Sequence, residues 1–543
     1  MMCTSDYQRW LCLAGLTALL AIAGCGPKNY KQDADDRVYN IIDKKWTPDL
    51  GTKANYRISD VEPSPGDIRV DRHIPVSGVL TLQEAVAIAT AHNREYQTEK
   101  ERLYTTALDE RLVRHGYEWQ LFGGGSAVYS NDGQDETVAV EANIGVNRLL
   151  ANGALVSTRV GVRWLDALLG FRESGLSSIL GATVSMPLLR GSGRDVVLEP
   201  LTQAERDTLY QIRTFNRFRK QFVVSVISQY YDGLELRLLA QNAEEYQHDL
   251  EKLRDHVGRL VGAGRLPAEE LDRMRQEVLR AQDISIKANK DAATFLDTYK
   301  ITLGVSPTTE FALDIGVFEA LEARGLPRPD FSVDEAIEAA LTRRLDVVNS
   351  ADMVFDAQRH VHVAADALGM GLDLVGSVDV DTRGNKEIAA GPVLDLPLDR
   401  VAEQNVYRKA LIELNQRQRD YDLAADTVRL EVRQAHRKLM EASERYVVLS
   451  EALALASGRI RKTTVLMEYG RVSSRRVLDA EQHLHNARDD AARALVDYAV
   501  ATLNFYRDTE VLQVRPDGMW EIGPSTTPLA STTSNTESSL TQK

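Results

Sequence analysis

The residues best suited to a covalent reaction lie near the start of the chain, where Ile22, Ala23 and Gly24 precede Cys25. Small residues before a cysteine, at the end of an apolar stretch too short to span a bilayer, are typical of a bacterial lipoprotein signal. After cleavage, the cysteine thiol would carry lipid. An ordinary signal peptide with an incidental cysteine would also end in small residues. We predict a signal peptide over 1–24 and lipidation of Cys25.

No other residues in the sequence have the spacing of a catalytic or metal site. His360 and His362, like His483 and His485, are two apart on predicted helices, which places the members of each pair on different faces. We therefore expect exposed surface histidines. The segment 191–193 is glycine-rich but lacks the Lys-Ser/Thr of a phosphate-binding loop, and it fits a strand-to-helix turn better. The sequence predicts no enzyme activity, no metal and no cofactor.

Composition limits the class of protein further. The chain has 543 residues and a formal net charge of -14. Nucleic-acid binding needs clustered Lys and Arg, so a nucleic-acid partner is not expected. Cys3 and Cys12 lie in the predicted signal peptide, which leaves no thiol pair for a disulfide. No apolar run approaches the roughly 20 residues of a transmembrane helix, so a membrane crossing would have to use strands.

Several segments carry apolar and polar residues at alternate positions. They are 138–147, 154–164 and 180–186, then 370–381 and 388–396, with 119–129 as a weaker case. Alternation fits a transmembrane barrel strand, with lipid on one face and a polar lumen on the other. It also fits a soluble antiparallel sheet that buries one face. Secretion and lipidation favour the barrel.

Helical periodicity extends further than a compact domain allows. The segments 194–262 and 401–469 would each extend roughly 100 Å, at about 1.5 Å per residue. Shorter helices are predicted at 82–116, 269–303, 333–368 and 475–505. Pairs of shorter helices match the length of a long helix, which indicates antiparallel return along it.

The chain is an internal duplication in which each half contains helix, strands, long helix, tip turn and helix. Thr81 and Ser332 begin matching helices as N-caps, with Glu84 and Glu335 three residues later, so both halves predict a capping box. The predicted organisation is a signal peptide (1–24), an extended N-terminal arm (25–80), a first repeat (81–310), an equatorial linker (311–330), a second repeat (331–512) and a disordered Ser/Thr-rich tail (513–543).

This layout resembles the TolC-like outer-membrane factor (outer membrane efflux protein) family, of lipoprotein type, over about 80–512. The resemblance is carried by the duplicated element order and by the segments Gly470-Arg471-Val472-Ser473, Val477-Leu478-Asp479-Ala480 and Pro187-Leu188-Leu189. It implies a mainly α fold with a transmembrane β-barrel, in which long antiparallel coiled-coil helices form a periplasmic tunnel. It also implies a homotrimer, with four strands per protomer in a trimeric 12-stranded barrel.

Proteins of this family are outer-membrane exit ducts of tripartite efflux pumps and type I secretion systems. The resemblance therefore implies a periplasmic adaptor (membrane fusion) protein and an inner-membrane transporter as partners, and docking as the event that opens the channel. Gly26 after the cysteine, in place of aspartate, implies a lipid anchor in the outer membrane of a Gram-negative-type bacterium. The first half has more candidate strands than the family pattern. We expect 119–129 and 179–188 to be the barrel pair and 138–164 to be an added hairpin on the extracellular side.

The resemblance places adaptor docking at the two tip turns. The residues concerned are Gly264, Arg265, Leu266, Gly470, Arg471, Val472 and Ser473. Glycine would serve these sharp turns in any case. Glu468, the one carboxylate near the second tip, is the candidate for a tunnel constriction. Four strand aspartates either favour cations in the lumen or simply solvate a wet strand face, namely Asp373, Asp379, Asp381 and Asp395. The alternative is a lipid-anchored coiled-coil structural or tethering protein of the cell envelope, which predicts no pore.

Overall fold

The structure is a computed structural model that describes residues 27–51, 53–62, 78–131, 136–169, 175–324, 332–381, 384–396, 398–515 and 520–522. Its helices are α1 (Pro27–Lys45), α2 (Leu82–His92), α3 (Arg94–His115), α4 (Arg194–Val197), α5 (Glu199–Gly262), α6 (Ala268–Leu303), α7 (Gly316–Arg324), α8 (Val333–Arg343), α9 (Leu345–Asp366), α10 (Val401–Glu468) and α11 (Ser474–Asp508). The long helices predicted from periodicity are confirmed: α5 has 64 residues and α10 has 68.

The strands of the described residues form three separate sheets. They are β1 (Val79–Leu80), β2 (Gln120–Asn131), β3 (Glu136–Leu149), β4 (Leu155–Leu169), β5 (Gly175–Pro187), β6 (Ala312–Leu313), β7 (Gly371–Asp381), β8 (Lys386–Asp395), β9 (Leu512–Val514) and β10 (Trp520–Ile522). Strand β1 pairs with β6 in parallel, β9 pairs with β10 in antiparallel fashion, and the other six strands form one sheet.

The chain divides into two compact units. The first comprises Met1–Thr47, Arg102–Ile212 and Met353–Gln418, and the second comprises Pro48–Glu101, Arg213–Asp352 and Arg419–Lys543. The six-stranded sheet lies in the first unit. Both tip turns and the junction of β1 with β6 lie in the second.

The large sheet is antiparallel throughout, in the order β2-β3-β4-β5-β7-β8. The two halves of the chain meet where β5 pairs with β7, with Ile179 opposite Asp381 and Pro187 opposite Asp373. The sheet holds six strands, where the sequence had led us to expect four.

The hairpin of β3 and β4 is an inner part of this sheet, and the prediction of an added extracellular hairpin was wrong. Its turn is closed by a hydrogen bond from Leu150 N–H to the carbonyl of Ala154, at 2.8 Å, with Gly153 at φ +89°. A Cβ at Gly153 would lie 2.7 Å from Pro187 Cγ and 3.1 Å from Val197 Cγ2. Those residues end β5 and α4, so the turn lies at the end of the sheet where the helices begin. Pairing on both sides keeps the hairpin between β2 and β5, which are not neighbours.

The matching helix starts of the two halves are confirmed in the second unit. Thr81 caps α2 and Ser332 caps α8, and Glu84 and Glu335 complete a capping box in each case. Both α2 and α8 have 11 residues, and the helices that follow them, α3 and α9, both have 22. The duplication therefore extends to helix length.

Each of these helix pairs was predicted as a single helix, and the break was missed. Asn93 leaves the helical conformation with ψ 132°, and its side-chain amide donates a hydrogen bond to the carbonyl of Thr302 at 2.7 Å. Arg344 occupies the equivalent position with ψ 120°, and its guanidinium binds Glu431 at 2.5 Å. Asn93 Oδ1 also accepts a hydrogen bond from Tyr96 N–H at 2.9 Å, so an asparagine N-cap was the local sign of the first break. Thr302 and Glu431 are distant in the sequence, and periodicity gave no sign of those contacts.

Two buried tyrosines of the second unit pack beside the strand pair of β1 and β6. The hydroxyl of Tyr230 donates to the carbonyl of Leu80 at 2.8 Å and accepts from Asp314 N–H at 3.0 Å. The ring of Tyr299 packs edge-on against Tyr230 at 6.4 Å. A buried hydroxyl must find partners, and here Leu80 belongs to β1 and Asp314 directly follows β6.

The predicted extended arm over 25–80 was wrong for its first part, because Pro27–Lys45 form the helix α1. The residues Val38 and Ile42 are buried, and the ring of Tyr39 packs 5.7 Å from that of Tyr104. Lys45 Nζ lies 2.9 Å from a carboxylate oxygen of the buried Glu110. Apolar residues four apart were the available sign of a helix face.

Two other segments differ from the predicted organisation. The linker 311–330 contains β6 and α7, and its last residues, 325–330, lie outside the described residues. The tail predicted to be disordered from 513 begins with strand structure, because β9 pairs with β10. Residues 523–543 lie outside the described part of the chain.

Candidate channel sheet and docking tips

One face of the six-stranded sheet is apolar and exposed on every strand. A single row of paired residues crosses the sheet through Gly123, Ile144, Val160, Leu180, Val380 and Lys386. The next row of the same face holds Leu121, Val146, Thr158, Ala182, Val378 and Ile388. Ile144 is 55% exposed, Leu180 56% and Ile388 69%. A band of apolar side chains this wide, in register across six strands, is suited to contact with lipid.

The opposite face is polar, and its charges are partly paired. Gln120, Asn147, Ser157, Thr183 and Ser377 form one row of it. Arg163 Nε lies 2.8 Å from a carboxylate oxygen of Glu141 on the neighbouring strand. Arg159 and Asp379 approach to 3.6 Å across the strand that separates them. A polar face opposite a lipid-suited one is the arrangement of a barrel wall with a wet interior.

Pairing reduces the acidic character expected of this sheet. Of the four strand aspartates, Asp379 faces Arg159, and Asp395 lies 2.5 Å from the guanidinium of Arg190. Asp381 accepts hydrogen bonds from Asn385, from its backbone N–H at 2.8 Å and from its side-chain amide at 2.9 Å. The number of acidic residues alone therefore overstates the negative charge of the polar face.

Exposed aromatic residues lie towards both ends of the apolar face. Trp119 precedes β2, is 55% exposed, and has the guanidinium of Arg148 over its ring at 5.5 Å. Tyr129 and Trp164 lie near the other end of β2 and β4. Aromatic residues at both borders of an apolar band are typical of strands that cross a membrane.

The two tip turns share one backbone geometry. Gly264 has φ +71° and Gly470 has φ +67°, the left-handed conformation in which glycine commonly ends a helix. Arg265 N–H donates to the carbonyl of Leu260 at 2.9 Å, and Arg471 N–H donates to that of Leu466 at the same distance. The match predicted between the tips is therefore present at the level of individual hydrogen bonds.

The tip turns lie side by side over a shared apolar core. Leu266 and Val472, half-buried, pack against this cluster. Its buried members are Tyr246, Leu250, Val257, Met274, Val278, Ala281, Met467, Val477 and Leu478. The hydroxyl of Ser474, at the start of α11, donates to Glu270 at the start of α6 at 2.7 Å. The structure thus brings together residues that the sequence separates by about 200 positions.

The remaining predicted tip residues face outward. Gly264, Arg265, Gly470, Arg471 and Ser473 are exposed. Within the described residues, neither arginine makes an ion pair. The side chain of Ser473 makes no capping hydrogen bond, although the residue occupies the N-cap of α11. The tips therefore present two exposed positive charges.

Glu468, the predicted constriction residue, is exposed and lines a cavity of about 270 Å³ in the second unit. Asp249, Lys252 and Glu481 also line this cavity. Burial and the neighbouring Asp249 raise the pKa of Glu481 to about 7. The sequence analysis missed Glu481, whose only sign was a carboxylate on the face of α11 that carries Val477 and Leu478.

One histidine prediction was wrong. His485 is buried at 8% exposure, and its ring stacks on that of Tyr246 at 4.6 Å. His362 and His483 are exposed as expected, whereas His360 is half-buried. The described residues contain no group of three or more side chains suited to a metal ion. Cys25, the predicted lipidation site, lies outside the described residues.

The fold is that of solved outer-membrane channels. CusC matches with a TM-score of 0.59 at 16% identity, over 83% of this chain and 96% of that one. The open-state MtrE channel of Neisseria gonorrhoeae matches with a TM-score of 0.58 at 15% identity, over 83% of this chain and 96% of that one. VceC of Vibrio cholerae matches with a TM-score of 0.57 at 13% identity, over 79% of this chain and 95% of that one.

No protein-family model and no curated protein matches the sequence. The solved structures nevertheless confirm, at the level of the fold, the likeness to TolC-like outer-membrane channels that the sequence predicted. Among the described residues, no helix combines the length and apolar character needed to span a bilayer.

Proposed function

We propose that this chain forms the outer-membrane exit duct of a tripartite efflux pump or type I secretion system, as a passive channel without an enzymatic step. The observation that carries the proposal is the six-stranded sheet, with an apolar face in register on one side and a polar face on the other. The fold shared with CusC, whose structures concern transmembrane channel formation, supports it.

The active assembly in this proposal is a homotrimer. A sheet with open edges leaves backbone groups unpaired in lipid, so closure of the barrel requires further copies. Cys25 carries the lipid anchor, and the long helices extend into the periplasm as a tunnel. The two repeats (81–310 and 331–512) each supply strands and helices, and the linker 311–330 lies between them.

The tips dock a periplasmic adaptor, which in turn binds an inner-membrane transporter, and docking opens the channel. The contact residues are Gly264, Arg265, Leu266, Gly470, Arg471, Val472 and Ser473. The two exposed arginines support this proposal, because they offer charges to an acidic partner surface. Glu468, near the second tip, narrows the tunnel of the closed state.

Single-channel conductance of the purified, lipidated protein in a planar bilayer tests the channel. Steady conductance from a homotrimer is expected. A monomer that produces no current would remove the channel and favour the lipid-anchored coiled-coil tether. In parallel, Cys25→Ser should remove the lipid from the mass of the protein while the purified channel still conducts after reconstitution.

Site-specific photo-crosslinking in cells tests the docking tips. A photoreactive residue at position 265 or 471 should cross-link to a periplasmic adaptor that mass spectrometry identifies. Lys287, exposed on α6 away from the turn, is the matched control position and should give no such product. Adaptor cross-links at 287 but at neither tip would exclude tip docking.

A further inference from the structure

Among the described strands, none pairs with the outer side of β2 or of β8, so both edges of the six-stranded sheet are open in a single copy. Every residue of β2 from Gly123 to Asn131 is exposed, and so is every residue of β8 except Gly391. Open edges are too costly in lipid, where no water satisfies the backbone groups. Six strands are also fewer than the roughly eight of a small closed barrel, so one copy cannot close on itself.

The two edges have compatible directions. The six strands alternate in direction across the sheet, so β2 and β8 run opposite ways. When copies are related by rotation about the barrel axis, β8 of one copy meets β2 of the next in antiparallel orientation.

The sheet is also staggered as a tilted barrel requires. The row of paired residues that begins at Gly123 ends at Lys386, which is the first residue of β8. Residues 124–131 of β2 extend beyond Gly123. Without displacement, only Lys386–Ala389 would lie opposite residues 120–123. For the whole of β8 to pair, β2 of the next copy must therefore be displaced along the strand direction.

The faces of the sheet restrict this displacement to an even number of residues. A displacement by one residue would place the apolar face of one copy on the same side of the barrel wall as the polar face of the next. A displacement of six residues places all of Lys386–Asp395 opposite residues 120–129. It also places small residues opposite each other, Gly391 with Gly124 and Ala390 with Gly125. Pro392 has no N–H, so the ladder lacks one hydrogen bond at that residue.

We propose that β8 of one copy pairs with β2 of the next, with Ala389 opposite Ser126, and that three copies close an 18-stranded barrel. The number of copies rests on the homotrimer of the proposed function, and the number of strands rests on the six-stranded sheet. A displacement of six per copy makes the shear equal to the strand number, which gives a strand tilt of roughly 35°. The barrel is about 1.5 times as wide as the 12-stranded barrel expected from the sequence.

Paired cysteines test the edge contact in the full-length protein. Ser126 and Ala389 are exposed and on the polar face, where a water-soluble oxidant reaches them. The double variant Ser126→Cys/Ala389→Cys should form intermolecular disulfides, and the largest covalent species on a denaturing gel should contain three chains. The controls are the two single variants and the double variant Val128→Cys/Ala389→Cys. All three should form few intermolecular disulfides.

The possible outcomes separate this proposal from the proposed function. A covalent series that stops at two chains would mean 12 strands, and preferential cross-linking at 128 would mean a different stagger, so either result overturns the proposal. Absence of cross-links from a protein that conducts as a trimer would overturn the edge pairing and leave the channel intact. Monomers without conductance would instead remove the proposed function itself.

Spin labels test independently whether the inserted hairpin is part of the barrel wall. A label at Ile144→Cys, on the apolar face of β3, should collide with oxygen dissolved in lipid. A label at Asn143→Cys, on the polar face, should collide with a water-soluble nickel chelate. Access of the chelate to both labels would exclude the hairpin from the wall and hence the 18-stranded barrel.

Discussion

Arg159 and Asp379 form an ion pair across an intervening strand, with guanidinium nitrogen and carboxylate oxygen 3.6 Å apart. They lie on β4 and β7, and Gly181 of β5 is directly opposite both. A Cβ at Gly181 would lie 2.5 Å from Asp379 Oδ1 and 3.2 Å from Arg159 Nε. Glycine on the middle strand thus leaves the space in which the two charges meet.

Removing one charge of this pair should change the ion selectivity of the channel. Arg159→Gln leaves Asp379 uncompensated on the polar face, so the cation-to-anion permeability ratio should rise. Asp379→Asn should lower it. The reversal potential in a salt gradient measures both shifts, with Ser377→Ala as a neutral control on the same face. Equal selectivity in all three variants would place this face outside the ion path.

Two glycines in the second unit should differ in their tolerance of alanine. Gly264 has φ +71° with no neighbouring atom within 4 Å of an added Cβ, so Gly264→Ala carries only backbone strain, about 1 kcal/mol. Gly304 has φ +77°, and an added Cβ would lie 2.3 Å from the carbonyl oxygen of His92. Gly304→Ala must displace backbone and should cost more than about 2 kcal/mol.

Urea unfolding followed by helical circular dichroism measures both glycine variants. Gly304 lies against the break between α2 and α3, at His92 and Asn93. Gly304→Ala should therefore also lower the cooperativity of unfolding. Equal midpoints for Gly264→Ala and Gly304→Ala would contradict the close approach of Gly304 to His92.

The hydrogen bond between the two tips should contribute measurably to stability. Ser474→Ala removes the donor to Glu270 and should cost about 1 kcal/mol. Ser473→Ala is a matched control, because that neighbouring side chain is exposed and makes no capping hydrogen bond. Thermal unfolding of the two variants side by side makes the comparison, and similar losses in both would argue against the Ser474–Glu270 contact.

Stability should fall as the pH rises towards neutrality, with Glu481 as one source. Burial raises the pKa of its carboxyl to about 7, from an ordinary value of 4.5. A carboxyl with a raised pKa in the folded state binds protons on folding, so its contribution is fully present below about pH 4.5 and is lost as the pH rises through about 7.

Glu481→Gln should flatten this part of the pH dependence and raise stability near pH 7 relative to the parent. Urea midpoints between pH 5 and 8 test the change. Asp479→Asn, which removes an exposed carboxyl from the same helix, is the matched control. A slope unchanged in Glu481→Gln would show that this carboxyl does not titrate differently in the folded state.

Local patterns determined much of the architecture. The period of the apolar residues predicted the long helices α5 and α10, and alternation predicted which residues of each strand share a face. The Thr81 and Ser332 capping boxes and the turns at Gly264 and Gly470 followed from residues within about five positions of one another. In each case the interactions that decide the structure are short-range, so the sequence contains them directly.

Tertiary structure decided the features that depend on distant partners. The β3–β4 hairpin became an inner part of the sheet because β2 and β5 pair with its two sides. The side-chain amide of Asn93 binds the carbonyl of Thr302, and the buried ring of His485 stacks on Tyr246. Alternation specifies the faces of a strand but not its neighbours, since any two strands with matching faces can pair. The order of the six strands is therefore set by three-dimensional pairing alone.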